Sequence, residues 1–354
     1  MNSFQRFFHQ PFFIRLFNWE YWSFGAVYAC IYPVWLLLCL RARSFFFFAA
    51  ANPRIRNGGF LNESKEEIVP MIPAAWHPRT AFFALPCNAD HILAELQRKG
   101  LSYPLMGKPN VGGRGRGVKV LGSDDDVRAY AQTSFLDFHI QEFVPYKNEV
   151  GIFYCRYPDQ ERGSITGIVE KEFMSVTGDG IHSMRELLLK NKRALMYMES
   201  YETIHGDFLD TILPKGEKHV VSPFGNHARG AMFLDVSHRT DETLTETIDA
   251  LCRQIPDFYY GRLDVRYQSW EELKAGKYFA IIEVNGAGSE PTHIYDPKHS
   301  LFFAWKEIVR HWIILNRISR MNRRKGHPYL SLREGIEMFR ENKALSEKLN
   351  AMTE

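Results

Sequence analysis

Two short runs late in the chain, GRLDVR at 261–266 and IIEVN at 281–285, place Arg262 and Asp264, then Glu283 and Asn285, at alternate positions among apolar residues. Alternate positions of a β-strand share one face, so each run aims two polar side chains in the same direction. As adjacent strands, the two runs would converge three oxygen ligands and a guanidinium on one point. Charged and amide groups on the inner face of apolar strands need partners, and a metal supplies one. Hard oxygen donors of this kind suit Mg²⁺ that is held together with phosphate oxygens.

The chain around these runs alternates strand and helix signals. A strand is expected at Thr80–Leu85, a helix at Asp90–Lys99 ending on Gly100, and a strand at Tyr103–Lys108. SDDDVRAYAQT opens on an N-cap Ser with acids in the first turn, so a helix should follow Lys119–Leu121 and precede the strand HIQEFV. Glu149–Arg156 and Ser164–Phe173 read as a hairpin-like pair, and SMRELLLKNKRALMYM reads as one helix. The order is that of an α+β or α/β protein, and 354 residues suffice for about two domains or one multi-lobed domain.

Between the second strand and the third lies VGGRGRGV. Gly113, Gly115 and Gly117 lack side chains, so backbone N–H groups can approach phosphate oxygens, and Arg114 and Arg116 add positive charge. The loop is neither a Walker loop nor a dinucleotide turn. A plain glycine-rich hairpin competes with the phosphate reading, and Lys108 just upstream favours the latter. In QEFVPYKNEVGI, the extended segment Gln141–Pro145 can offer donors and acceptors to a base edge, and Glu149 can accept from a ribose. The plainer alternative is a surface strand bearing two acids.

Residues 1 to 60 differ from the rest. They hold six arginines (Arg6, Arg15, Arg41, Arg43, Arg54, Arg56), no lysine and one acid, Glu20. Tyr21 to Leu40 carries no charge, a borderline length for a membrane span. Three readings compete: a core helix followed by a buried strand at Ser44–Ala51; an interfacial anchor in which Phe4, Phe7, Phe8, Phe12, Phe13 and Phe17 enter lipid while Arg6 and Arg15 meet headgroups; and a true span. A second basic and aromatic stretch, FFAWKEIVRHWIILNRISRMNRRK, has helical period and holds one acid, Glu307. It fits either surface binding or an ordinary packed helix. No secretory leader is recognised. Forty-four basic against 41 acidic residues leave too little net charge for a nucleic-acid coat protein, and five scattered cysteines indicate a reducing compartment.

Taken in order, from about Asn62 to Pro297, these motifs resemble the ATP-grasp superfamily, and within it the D-alanine–D-alanine ligases and the cyanophycin synthetase and RimK-like carboxylate–amine ligases. The resemblance implies two α+β lobes enclosing a nucleotide cleft, with ATP and Mg²⁺ bound there. It implies phosphate-contacting roles for Lys65, Lys108, Lys171 and the glycine loop. Glu142, Phe143 and Val144 are similar to the family's adenine-holding segment, with Glu149 at the ribose position. Asp264, Glu283 and Asn285 resemble its magnesium ligands, and Arg262 the arginine beside the transferred phosphoryl group. VTGDGIHSMRELL and SPFGNHARGAMFLDVS are similar to segments of the cyanophycin synthetase and RimK-like enzymes, with Arg229 facing a γ-phosphate or acyl phosphate. Ala231, where a second glycine is usual, and GAGSEPTHIYDP, which lacks the Pro-Gly pattern of the D-alanine enzymes, depart from the pattern and leave the substrate open.

The organisation expected is thus an aromatic and basic segment at 1–60, a reduced form of the α/β domain that usually precedes this fold, then an ATP-grasp domain at 61–300 and a helical tail at 301–354. The chemistry implied is an ADP-producing ligase that joins a small-molecule or lipid-like carboxylate to an amine through an acyl phosphate. Its expected location is cytoplasmic, with peripheral membrane contact through the amino-terminal segment and the helix at 301–325. Two alternatives are a kinase of the same fold that stops at phosphoryl transfer and a membrane-peripheral binding protein with a degenerate nucleotide site. Oligomeric state is open.

Overall fold

The structure, a computed structural model, describes residues 10–113, 115–222 and 225–351. Phe4, Arg6, Phe7, Phe8 and Arg114, named above, lie outside the described residues.

The described residues begin with helices α1 (Pro11–Phe17), α2 (Phe24–Tyr28), α3 (Tyr32–Ala42) and α4 (Lys65–Ile68). There follow β1 (Thr80–Phe83), α5 (Ala89–Arg98), β2 (Leu105–Pro109), β3 (Lys119–Leu121), α6 (Asp124–Thr133) and β4 (Phe138–Glu142). Next come β5 (Asn148–Cys155), β6 (Ser164–Glu172), β7 (Ser175–Thr177), α7 (Met184–Leu189), α8 (Lys192–Leu195), α9 (Met198–His205), β8 (Lys218–Val220) and β9 (Met232–Asp235). The last elements are α10 (Glu242–Cys252), β10 (Tyr260–Tyr267), α11 (Trp270–Lys274), β11 (Phe279–Asn285), α12 (Leu301–Arg324) and α13 (Leu332–Ala351).

Packing divides the chain into two units. The larger takes the described parts of Pro33–Ile168, Val236–Pro291 and Ile308–Glu354; the smaller takes those of Met1–Tyr32, Val169–Asp235 and Thr292–Glu307.

The larger unit contains two sheets. One is antiparallel with strand order β1-β4-β2-β3, and Ile92 and Leu96 of α5 and Val127 and Tyr130 of α6 pack on its Phe138 and Ile140. The other runs β11-β10-β5-β6, with β10 antiparallel to both neighbours. Alternation along β5 feeds two cores. Val150, Ile152 and Tyr154 join Ile248 and Leu251 of α10, whereas Phe153 and Cys155 join Phe47, Phe48, Leu315 and Ile318. The aromatic segment and α12 therefore serve as the cover for the second face of this sheet.

Three local expectations are corrected. Ser44–Ala51 is not a strand but contains a 3₁₀ turn at Phe47–Ala50. A strand would send consecutive aromatics to opposite faces, and here Phe46, Phe47 and Phe48 are all buried in one core. The single helix expected at 183–198 is three. Asn191 stops the first by taking the N–H groups of Arg193 and Ala194 on its side chain, which starts the second. The uncharged stretch from Tyr21 to Leu40 is likewise broken between α2 and α3, where Pro33 sits in the first turn of α3 and cannot donate to a preceding helix. Among the described residues no helix is long and apolar enough to cross a membrane.

In the smaller unit, Val169–Glu172 of β6 pairs antiparallel with β9, and β7 pairs with β8. Met174, Met184, Leu188, Tyr201 and Leu209 form its core. Glu20, its side chain 9% exposed, is paired here with Arg193 and, at 3.0 Å, with His227. Trp19 Nε1 donates to His299 O at 2.9 Å, which fixes Trp19 onto the same unit.

Candidate functional site

Strand pairing sets the polar face that the sequence suggested. In the β10–β11 register, Arg262 stands opposite Asn285 and Asp264 opposite Glu283, so all four side chains share one face. Arg262 grips Asp264 with both arms of its fork, Nε to Oδ1 at 2.8 Å and Nη2 to Oδ2 at 3.2 Å. Asp264 is buried, Glu283 and Asn285 half-buried.

The end of β11 is joined to the amino-terminal turn by a backbone-to-backbone contact that only glycine allows. A Cβ on Gly286 would lie 2.7 Å from Gly58 O and 2.8 Å from Gly59 Cα. Ala287 N donates to Gly58 O and Gly288 N to Gly59 O, at 3.0 and 2.7 Å. The turn itself is held by Asn52, whose Nδ2 donates to Gly58 O and Tyr260 O while its Oδ1 accepts from Tyr259 N and Tyr260 N. The chain leaving this turn delivers Glu63 and Lys65 to the same end of β11.

Glu63 Oε1 accepts from Gly286 N at 2.6 Å. Burial pushes its carboxyl up to about 7, opposed by the Gly286 N–H and reinforced by nearby Glu283. Lys65 Nζ lies 3.8 Å from Glu283 Oε1 and donates to Gly112 O at 3.3 Å. Its helix is tied to the end of β2 through Asn110, which accepts from Ser64 Oγ and Glu66 N and whose carbonyl accepts from Lys65 N.

Lys108 enters from the four-stranded sheet. Its Nζ donates to Gln141 Oε1 at 2.7 Å and approaches Ile282 O at 3.5 Å. Desolvation lowers its ammonium to about 8; Glu283 opposes that shift and Lys65 adds to it. Gln141 Nε2 in turn reaches Thr80 Oγ1 at 3.0 Å and His77 Nε2 at 3.1 Å. His77 and His139 are pushed down to about 4 and about 3, first by burial and then by the lysines, and are neutral. Together Glu63, Lys65, His77, Lys108, Gln141 and Glu283 line one pocket, which Gly112, at the foot of the glycine loop, also borders.

Two ammonium groups in a confined space, faced by Glu283 and by a Glu63 carboxyl pushed toward neutrality, make a receptor for an anion. The pH dependence follows in sign. As pH rises through about 7 Glu63 gains negative charge, and through about 8 Lys108 loses positive charge, so both steps weaken anion binding. Sulfate, whose own charge is constant in this range, is expected to bind more weakly at each step above neutrality by calorimetry. Lys108→Arg, which stays protonated, should remove the upper limb of that decline; a flat profile in the unmodified protein contradicts the assignment.

The other residues named from sequence sit as follows. Asp264 and Asn285 are placed beside Glu283 by register. Glu149 is buried on β5 and pairs with Arg266 at 3.2 Å, in register with it across β5 and β10. Glu142 ends β4 and is held by Arg79, which lowers its carboxyl. Phe143 and Val144 lie in the link between β4 and β5 and do not line the pocket. Gly115 and Gly117 have left-handed backbones, Gly113 faces open space, and Arg116 donates to Asn350 of α13. Lys171 and Arg229 belong to the smaller unit. Lys171 is buried on β6 opposite Phe233, and Arg229 closes a 3₁₀ turn in which Tyr201 Oη donates to its carbonyl at 3.3 Å.

Sequence reasoning missed Glu63, His77, His139, Asn52 and the side chain of Gln141, a residue it had named for its backbone alone. A signal existed for two of them: in FHIQE, His139 and Gln141 alternate, and the register sets them opposite Lys108 and Met106. For Asn52 and Glu63 there was none, because their partners lie about 200 positions away.

A magnesium site can be tested against these residues. Among the described residues no three His, Cys, Asp or Glu side chains are grouped so as to hold a metal ion by themselves. The set is instead two carboxylates and an amide, hard donors suited to Mg²⁺ when phosphate oxygens complete the shell. Asn285 Nδ2 is buried with no hydrogen-bond partner, so the amide is not engaged through its nitrogen. The donor chemistry fits.

No family model matches the chain, and no curated protein matches it in sequence. Among solved structures it is similar to a D-alanine–D-alanine ligase from Bacillus anthracis, at 13% identity over 74% of this chain and 67% of that one, with a TM-score of 0.40. It is similar also to the VanG D-Ala:D-Ser ligase from Enterococcus faecalis, at 15% identity over 72% of this chain and 61% of that one, with a TM-score of 0.41. A third likeness is to a bifunctional glutathione synthetase from Pasteurella multocida, at 13% identity over 68% of this chain, with a TM-score of 0.37. The match spans 34% of that synthetase and 61% of the VanG ligase.

Proposed function

We propose that this chain is an ATP-dependent carboxylate–amine ligase of the ATP-grasp type. The observation that supports the reading most is the meeting of Lys65, Lys108 and Glu283 in one pocket, with Asp264 and Asn285 set beside Glu283 by strand register. A substrate carboxylate oxygen attacks Pγ, the bond from Pγ to the bridging oxygen of ADP breaks, and an acyl phosphate forms. An amine then attacks the acyl carbon, inorganic phosphate leaves and the nitrogen gives up a proton. Neither step needs a protein nucleophile; positioning and electrostatics supply the rate.

Lys65 and Lys108 neutralise the polyphosphate. Lys108, partly deprotonated at neutral to mildly basic pH in the free site, regains its full charge when an anion replaces lost hydration. Arg262, braced by Asp264, holds a fixed cation on the face where the transferred group would sit. Asp264, Glu283 and Asn285 would hold magnesium, which when bound draws charge off the β- and γ-phosphates. The link at Glu142–Val144 would take the adenine edge. Glu149 would take the ribose, which requires it to share its carboxylate with Arg266. The glycine loop would add phosphate contacts.

The test is ADP release from ATP and Mg²⁺ against pooled carboxylates and amines. Release that requires both a carboxylate and an amine, with an amide formed in equal amount, is the expected result. Release that requires an acceptor but no amine and leaves a stable phosphorylated product makes the protein a kinase. No ATP binding by calorimetry makes it a binding protein instead.

A further inference from the structure

Helix α3 is apolar on both sides. Leu38 and Cys39 point into the core beside Phe47, whereas Leu36, Leu37 and Leu40 are 52%, 64% and 72% exposed. Phe45, just past the helix, is 63% exposed. A helix with apolar residues all round is ordinarily buried all round, and an exposed apolar stripe of this kind marks an interaction face.

The charge beside the stripe is of one sign. From Tyr21 to Asn62 the sequence contains no Asp or Glu. Arg54 and Arg56 are engaged by Asp257 and Glu341, but Arg41 and Arg43 are exposed and neither forms an ion pair with a described carboxylate.

Arg43 also occupies a costly position. Ser44 N donates to Cys39 O and Arg43 N to Leu40 O, the two bonds of a Schellman cap, with Arg43 itself left-handed at φ 54°. Glycine is the residue that this position favours. An arginine here gives up backbone ease and gains a cation next to Leu40.

We propose that the outer face of α3 and its cap dock on an anionic lipid surface, with Leu36, Leu37, Leu40 and Phe45 entering the acyl boundary and Arg41 and Arg43 meeting headgroup phosphates. The first-named anchor candidates near the start of the chain are not needed for this. In the smaller unit α1 presents similar chemistry on its own account, with Phe12, Leu16 and Phe17 exposed beside Arg15. The docking face is separate from the nucleotide pocket and stands whether or not the ligase reading does.

The experiment is co-sedimentation of the full chain with phosphatidylcholine vesicles, with and without phosphatidylglycerol, at low and high salt. Binding that needs phosphatidylglycerol and weakens with salt is expected. Leu37→Glu with Leu40→Glu should abolish it. Arg43→Gly should melt no lower than the unmodified protein yet bind roughly fivefold more weakly, the value of one basic residue at such a surface. The opposed signs separate a lipid contact from a structural role. The proposal is overturned if the protein stays in the supernatant with anionic vesicles, or if the double variant binds as well as the unmodified chain. It is also overturned if analytical ultracentrifugation shows a dimer that Leu40→Glu disperses while vesicles bind nothing, since the stripe would then be covered by a second copy.

Discussion

Glu283→Gln is expected to lower ADP release by roughly 10²–10³-fold while leaving the fold intact, the loss typical when one preorganised electrostatic group is removed from a reacting centre. The substitution keeps the shape of a half-buried side chain and removes only its charge. Its one ion pair among the described residues, to Lys65 at 3.8 Å between partly exposed groups, is worth about 0–1 kcal/mol, so unfolding should scarcely change. Asp264→Asn is a less clean probe. Arg262 would lose a bidentate partner in a buried position, and breaking a buried pair costs about 3–5 kcal/mol. The control is Glu95→Gln, at an exposed i,i+3 pair with Arg98 on α5, which should leave turnover unchanged. Equal turnover in Glu283→Gln and the unmodified enzyme would remove the metal and phosphate assignment of this face.

The second large effect is on stability. Asn52→Ala should cost about 4 kcal/mol, because it takes a partner from four backbone groups in a fully buried place; Gly58 O keeps Ala287 N, and each of the other three is worth about 1–3 kcal/mol when left unpaired, with some relaxation expected. Denaturant unfolding followed by circular dichroism measures it. Since Asn52 holds the turn that delivers Glu63 and Lys65 to β11, the sulfate affinity of the folded variant should fall as well. A loss below about 1 kcal/mol would mean that water or a neighbour replaces the amide, and the turn would not depend on Asn52.

These two residues mark what could and could not be seen in the sequence. Glu283 was visible because β periodicity is local: in IIEVN, alternation alone puts Glu283 and Asn285 on one face, and apolar neighbours make that face conspicuous. The same rule exposed Arg262 and Asp264. Asn52 was invisible, since the first Asn in AANPRIRNGG looks like any loop residue until Tyr260, 208 positions on, is laid beside it. Local patterning also misled where several adjacent side chains share one environment. Phe46, Phe47 and Phe48 read as a strand because they are aromatic, and became a tight turn because one core takes all three.

Lys65 and Lys108 illustrate the division again. Each was picked out through its motif, but their approach to Glu283 depends on how the four-stranded sheet and α4 pack against β11, which no window of sequence encodes. The perturbed states of Glu63 and Lys108 arise from that packing too, since desolvation is a property of the surroundings and not of the residue. The sequence by itself determined the strand and helix order from β1 to β6, the polar face of β10 and β11, and the acid-free character of residues 21–62. Only the tertiary structure decided which distant groups share a pocket, which carboxylates already have partners and which face of α3 stays bare. The reason is physical: periodicity is set by backbone geometry over a few residues, whereas charge pairing and burial are set by whatever the fold brings alongside.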